Sequence, residues 1–356
     1  MELSLILAVL LFFILISSCN NYEYNKLVFM DKDSTIQLKG VAIIFVILAH
    51  MKLMYYFDAK AIGNFGAIGV DIFLMLSGYG VYKSYKKRGV GIDFILRRLK
   101  KIYTPLIIVV LLELVWRIYG EKSNYSIHRI ITFFTGFDTK RTLDGTYWYI
   151  SFILLWYAIF FIIYRYSKHK KISIILLFCF SYLFKVSKFI SPIGDLSWQY
   201  SLHFISFPFG ILVATYERNI IELLNKDMYK LIIIVLVIGS ISSHYVFSGN
   251  SEYYWLYDIN VSMIFIFLGV LLQSLGFMSK FLKSIGNISY EVYLVEMQIL
   301  TYLNLTKLIG NKFVGDIAEI MFCFIAGYAL NKFIDKFQIL TSNVLKIIKK
   351  DYAVND

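Results

Sequence analysis

The sequence predicts an all-α polytopic membrane protein, with ten or eleven transmembrane helices in one bundle. Three observations carry that prediction. Apolar residue types make up 58% of the 356 residues and charged ones only 17%, with a mean hydropathy of +0.65. A soluble domain carries about 25% charged residues and could not hide this much apolar surface, so the excess must face lipid. Apolar runs long enough to cross about 30 Å of hydrocarbon recur along the whole chain. These runs are continuous rather than alternating, which argues against a β-barrel, and three prolines in the entire chain suit long helices.

The runs lie near 3–18, 37–57, 61–82, 102–120, 145–164, 171–190, 200–216, 229–247, 257–277, 286–306 and 317–338. The first has Glu2 and no basic start, unlike a signal peptide, so it reads as an uncleaved helix. Residues 1–36 then form an extra helix and connector, 37–338 the main transmembrane domain, and 339–356 a cytoplasmic tail. The segment 83–101 carries Lys83, Lys86, Lys87, Arg88, Arg97, Arg98, Lys100 and Lys101, whereas 248–256 carries no Lys or Arg. That asymmetry places 83–101 and the C-terminus in the cytoplasm.

The formal charge of +12 follows from the same topology, and no basic segment is interleaved with stacking aromatics as a nucleic-acid surface would be. No nucleic-acid partner is expected. The three cysteines, Cys19, Cys179 and Cys323, show no metal-ligand spacing. No metal site is expected, and Cys179 and Cys323 read as small core residues.

Ionisable residues inside apolar runs are costly and mark function. In the run 37–57, Lys39 and His50 are eleven residues apart and share one helix face within about 20°. Lys39 lies toward the cytoplasmic boundary and His50 past mid-depth. Asp71, on the next helix, is expected near the depth of His50. Two readings stand: a histidine general base oriented by a carboxylate, or a structural hydrogen bond between helices. Glu113 and Arg117, at i and i+4, read equally as an intrahelical ion pair or as site residues. Glu296 has no cation on its own helix and needs a partner from another. His203 reads as a capping or packing residue. The cluster Arg97, Arg98, Lys100 and Lys101 before Pro105 is either plain topology with anionic lipid contact or an anion site for a polyphosphate donor such as coenzyme A.

Four stretches carry a family resemblance. They are Gln37–His50, Gly69-Val-Asp-Ile-Phe-Leu-Met-Leu-Ser-Gly78, Phe94–Pro105, and Ile285-Gly-Asn-Ile-Ser-Tyr-Glu-Val-Tyr-Leu294, with a weaker echo at Trp148-Tyr-Ile-Ser151. They resemble the membrane-bound acyltransferase-3 family, the O-acyltransferases of bacterial cell-surface glycans. Two positions depart from its pattern: Lys39 stands where an Arg is usual, and Glu296 where a His often follows. The resemblance implies transfer of an acyl group, most often acetyl, from cytoplasmic acyl-CoA to a glycan or lipid-linked sugar hydroxyl, in the bacterial cytoplasmic membrane. It implies His50 as catalytic base with Asp71 in support, and Lys39, Arg97, Arg98 and Lys101 facing the donor. Ser77, Tyr147, Trp148, Tyr290, Tyr293 and Glu296 would line the pocket. No permanently bound cofactor is implied; acyl-CoA is a substrate, and the acyl group passes either directly to the glycan or through a separate extracytoplasmic transferase as partner. The competing class is a transporter or export component for glycan intermediates, with a sensor or scaffold as a weaker third.

Overall fold

The computed structural model describes residues 10–11, 13–19, 29–53, 64–138, 143–167, 169–190, 196–223, 254–274 and 276–354, with isolated positions between 231 and 242. Almost all of them are helical. The helices are α1 (Lys32–Leu53), α2 (Phe65–Arg88), α3 (Ile92–Val115), α4 (Ile127–Thr135), α5 (Trp148–Tyr166), α6 (Lys170–Ile190) and α7 (Leu196–Leu202). They continue with α8 (Ser206–Thr215), α9 (Glu217–Leu223), α10 (Tyr254–Ser274), α11 (Lys280–Asn287), α12 (Ser289–Tyr302), α13 (Leu305–Ile309) and α14 (Lys312–Val354). A two-residue strand, Ser18–Cys19, pairs antiparallel with Met278–Ser279. Among the described residues, five helical stretches are long and apolar enough to cross a membrane: Lys32–Leu53, Phe65–Arg88, Ile92–Gly120, Trp148–Tyr166 and Lys312–Thr341.

Several sequence expectations are corrected. The run 200–216 is two helices, broken between Leu202 and Ser206. The run 286–306 starts only at Ser289 and ends at Tyr302, because Ile288 leaves helical geometry and separates α11 from α12. The run 317–338 belongs to a longer helix, Lys312–Val354. Cys179 is exposed rather than a core residue, whereas Cys323 is buried. The start of the first run and most of 229–247 lie outside the described residues.

Helix α2 is the hub. It packs against α1, α8 and α10, and glycines let it approach α8 closely. A Cβ on Gly78 would strike the carbonyl of Phe207, and one on Gly210 would strike the carbonyl of Met75. Two glycines, one per helix, thus bring the backbones together where any side chain would hold them apart. This explains Gly78 at the end of the Gly69–Gly78 motif in packing terms.

Five helices close a ring around the site. Helix α1 packs on α2 and α12, and α3 packs on α5 and α12. Helices α2 and α5 are joined by a hydrogen bond between the Ser77 and Tyr157 hydroxyls, 2.8 Å apart, and by the Phe73–Tyr149 ring contact. The wall behind α5 is aromatic: Trp156 stacks on Phe207 and Phe160 on Tyr164. Pro105 sits inside α3. Its ring lacks an N–H and crowds the preceding turn, and in that turn the carbonyl of Ile102 accepts the Tyr290 hydroxyl from α12 at 3.1 Å.

Candidate active site

One end of the ring is basic. Lys39 of α1 is half-buried and lies within electrostatic reach of Arg98 and Lys101 of α3. Arg98 also lies over the rings of Phe94 and Tyr157, 5.5 and 5.3 Å from their centroids, which fixes its guanidinium against the wall. Arg97 and Lys101 are exposed. Three cations from two helices converge here, although like charges repel, so the arrangement favours an anionic occupant.

The middle of the ring is lined by hydroxyls. Tyr290 and Tyr293 stack on each other, and Tyr149 meets Tyr293 edge-on. Tyr293 donates to the carbonyl of Thr146. The Ser77–Tyr157 pair closes the α2 side. Ser77, Tyr290 and Tyr293 therefore lie on helices of one ring.

His50 lies at the far end of α1, eleven residues from Lys39 and roughly 16 Å along the axis. Its Nδ1 is 2.5 Å from Oε1 of Glu296, which α12 brings in from the side. The Glu296 side chain is 0% exposed, while the His50 side chain keeps 17% of its surface. The ring is thus anchored on one nitrogen and open on part of the other side. This is the partner that the lone Glu296 required.

Around this pair sits a polar network. Arg117 bonds Glu113 Oε1 through Nε at 3.1 Å and the carbonyl of Leu143 through Nη2 at 2.5 Å. The backbone passes through a π-helical turn, Trp116–Gly120, at that point; such turns re-aim side chains. The amide of Gln298 donates to Glu113 Oε2 at 3.1 Å and to Asp144 Oδ2 at 2.7 Å. Asp144 Oδ1 accepts from both the N–H and the hydroxyl of Thr146. Asp144 lies in the loop before α5, within electrostatic reach of His50 and Glu296. Burial pushes its carboxyl above the ordinary carboxylate value, against the two Thr146 hydrogen bonds that hold it down. Tyr147 is buried beside Gln298, its hydroxyl 3.5 Å from the amide nitrogen.

The expected pairing of Asp71 with His50 is replaced by another. Asp71 Oδ1 is 2.8 Å from Nδ1 of His203 and accepts the Ser206 hydroxyl at 2.5 Å. His203 in turn stacks on Trp148, centroids 5.4 Å apart and planes 16° apart. The reason is register. Gly66 of α2 lies against Ala49, one residue from His50, and Gly69 lies against Ala42 and Val46. Asp71 is five residues past Gly66, about 8 Å further along α2, and is turned toward α8. Trp148 consequently belongs with Asp71 and His203 rather than with His50.

Sequence reasoning missed Asp144 and Gln298. Asp144 sits in a short polar loop, Leu-Asp-Gly-Thr, where a carboxylate is unremarked. Gln298 carries no charge, and its only signal is its place two residues beyond Glu296. His203, read as a capping or packing residue, does pack, against Trp148; its partner Asp71, 132 residues away in sequence, was not foreseen.

Buried acid–base groups inside a ring of apolar helices define a membrane protein with a chemical centre among its helices. A family model described as an acyltransferase domain, Acyltransferase-3, matches residues 34–331, so the chain belongs to the acyltransferase-3 family. It is a multi-pass membrane acyltransferase. No curated protein and no solved structure matches it significantly.

Proposed function

We propose that the chain is a membrane O-acyltransferase that moves an acyl group, acetyl in the first instance, from acyl-CoA to a sugar hydroxyl of a surface polysaccharide or its lipid-linked precursor. The observation that carries this reading is the placement of His50 and Lys39 on one helix. The imidazole is held by a buried carboxylate, and the ammonium joins Arg98 and Lys101 roughly 16 Å away.

The basic end faces the cytoplasm of a bacterial cell on this reading, which its flanking lysines and arginines favour. The phosphates of acyl-CoA sit on Lys39, Arg98 and Lys101, with Arg97 at the entrance, and the acyl-bearing arm runs up the tyrosine-lined ring. At the other end, Nδ1–H of His50 donates to Glu296, which leaves Nε2 as the acceptor. Nε2 takes the proton of the sugar hydroxyl as its oxygen attacks the thioester carbonyl. The C–O bond forms, the C–S bond breaks, and the thiolate leaves, collecting the proton from the imidazolium as free CoA thiol. Glu296 stabilises the imidazolium while it exists and holds the ring in one tautomer. A direct transfer to the glycan and a relay through a separate extracytoplasmic transferase use the same half of this chemistry.

The test is reconstitution of the purified protein in nanodiscs with acetyl-CoA and a surface-glycan acceptor. Release of CoA thiol and appearance of the acetyl ester by mass spectrometry are expected together. His50→Ala should abolish both in a protein that still elutes as a folded species, and full turnover by that variant would remove His50 from the mechanism. Acceptor movement across a vesicle without thioester consumption would instead support the transporter class.

A further inference from the structure

The end of the ring beyond His50 contains oxygens without partners. Glu296 is fully buried and uses only Oε1 on His50; its Oε2 has no hydrogen-bond partner. The Gln298 amide spends its nitrogen on Glu113 and Asp144, and its buried Oε1 likewise has none. A buried polar atom without a partner is costly, and two of them two residues apart on one helix point to a molecule that supplies donors.

The chemistry of that molecule follows from what surrounds the two oxygens. Glu113, Asp144 and Glu296 bring three carboxyl groups. The cations bonded to them are Arg117, already committed to Glu113 and to the Leu143 carbonyl, and His50, whose task is to receive a proton. Open sites here are acceptors, so the occupant must donate. Donors come as O–H groups on a sugar; a carboxylate or phosphate on the same sugar would meet like charge, and among the described residues the cations bonded to these carboxyls, Arg117 and His50, are both committed.

We infer that Glu296 Oε2, Gln298 Oε1 and the carboxyls of Asp144 and Glu113 form the acceptor subsite, built for an uncharged, hydroxyl-rich sugar and built against acidic ones. This rests on the transferase reading above and adds the substrate class. The subsite orients the reacting sugar by its neighbouring hydroxyls, while His50 treats the one that reacts. Rejection of acidic sugars is the repulsive half of the specificity.

The experiment uses the full-length protein in nanodiscs with acetyl-CoA and a panel of methyl hexosides (gluco, galacto and manno), each paired with its 6-carboxylate counterpart. CoA release and sugar ester are followed separately. At least one neutral hexoside should be acetylated, and its uronide at least about 100-fold less well, since like-charge juxtaposition costs several kcal/mol. Gln298→Leu should raise the hexoside KM about tenfold or more without the acetyl-CoA KM following. Gln298→Lys should shift the uronide-to-hexoside ratio of kcat/KM by at least about tenfold toward the uronide. Both variants are first checked for monodisperse elution. Uronides used as well as hexosides, or a folded Gln298→Leu protein with an unchanged hexoside KM, overturn the inference. So does thioester consumption with no hexoside esterified, an outcome that leaves the transferase reading standing. Absence of any acetyl-CoA binding or consumption defeats the transferase reading itself, and this inference with it.

Discussion

Replacing Glu296 with Gln removes one charge and almost no volume, so it isolates what the carboxylate does for His50. In the resting protein Glu296 Oε1 lies 2.5 Å from the imidazole Nδ1. When Nε2 takes the acceptor's proton the ring becomes a cation, with its charge centre about 4 Å from that of the carboxylate. At an effective dielectric of about 20 that pair is worth ~4 kcal/mol, or close to three decades in rate. The His50 side chain keeps 17% of its surface, so solvent screens part of this, and a fall in kcat of about 10²–10³-fold is expected. The interaction exists only once the proton has moved, so the loss belongs to kcat, while the acetyl-CoA KM should change by no more than about twofold. Glu296→Asp retains the charge but withdraws it by one methylene, and should recover part of the rate. The assay is CoA-thiol release by the nanodisc-embedded enzyme across donor and acceptor concentrations. A folded Glu296→Gln enzyme whose kcat stays within about threefold of the parent, alongside an inactive His50→Ala enzyme, would refute the role given to this carboxylate.

At the basic end, Lys39→Ala should raise the acyl-CoA KM by about tenfold, the loss of one charge-assisted contact, whereas Lys39→Arg should retain donor affinity because the charge survives in a phosphate-matching fork. A tight-binding Lys39→Ala enzyme, measured by acetyl-CoA titration, would return Lys39 to a topological role. The two arginines should separate. Arg98, held over Tyr157, is expected to cost donor affinity several-fold more on change to Ala than the exposed Arg97; equal effects in the same titration would show that packing against the ring does not matter for the donor.

Much of the fold is legible in the sequence, and for physical reasons. Long apolar runs announce helices in lipid, and the spacing of Lys39 and His50 fixes their common face because helical phase is carried by the local chain alone. The tyrosines of the Tyr290–Tyr293 motif are likewise placed by one helix. What could not be read is which helix lies opposite. Asp71 and His50 sit on neighbouring helices and at similar expected depth, yet contact register between the helices, set by Gly66 against Ala49, moves Asp71 beyond reach. The partner of His50 is 246 residues distant, and nothing local to either residue specifies the other. The breaks carry local signals that long apolar runs mask: Pro208 sits in the first turn of α8, after the separation at Leu202–Ser206, and Gly286-Asn287 close α11 just before Ile288.

Among the described residues there are two histidine–carboxylate pairs, and their surroundings assign them opposite tasks. In the Asp71–His203 pair every feature points inward. Both side chains are below about one-twentieth exposed, Asp71 Oδ1 accepts Ser206 as well, and Trp148 covers the imidazole face. A group so enclosed cannot exchange a proton with a substrate, but it can pin the break between α7 and α8 to α2. In the His50–Glu296 pair the imidazole keeps open surface, and one carboxylate oxygen is unspent. Breaking one partner of a buried pair costs about 3–5 kcal/mol, so Asp71→Asn and His203→Ala should each lower the unfolding temperature clearly, as read by thermal shift of the detergent-solubilised protein. The kcat of the fraction that remains folded should fall far less than in Glu296→Gln. The opposite pattern, with Asp71→Asn leaving stability intact and removing turnover, would make Asp71 part of the chemistry and would require His203, rather than Glu296, to be the residue that organises it.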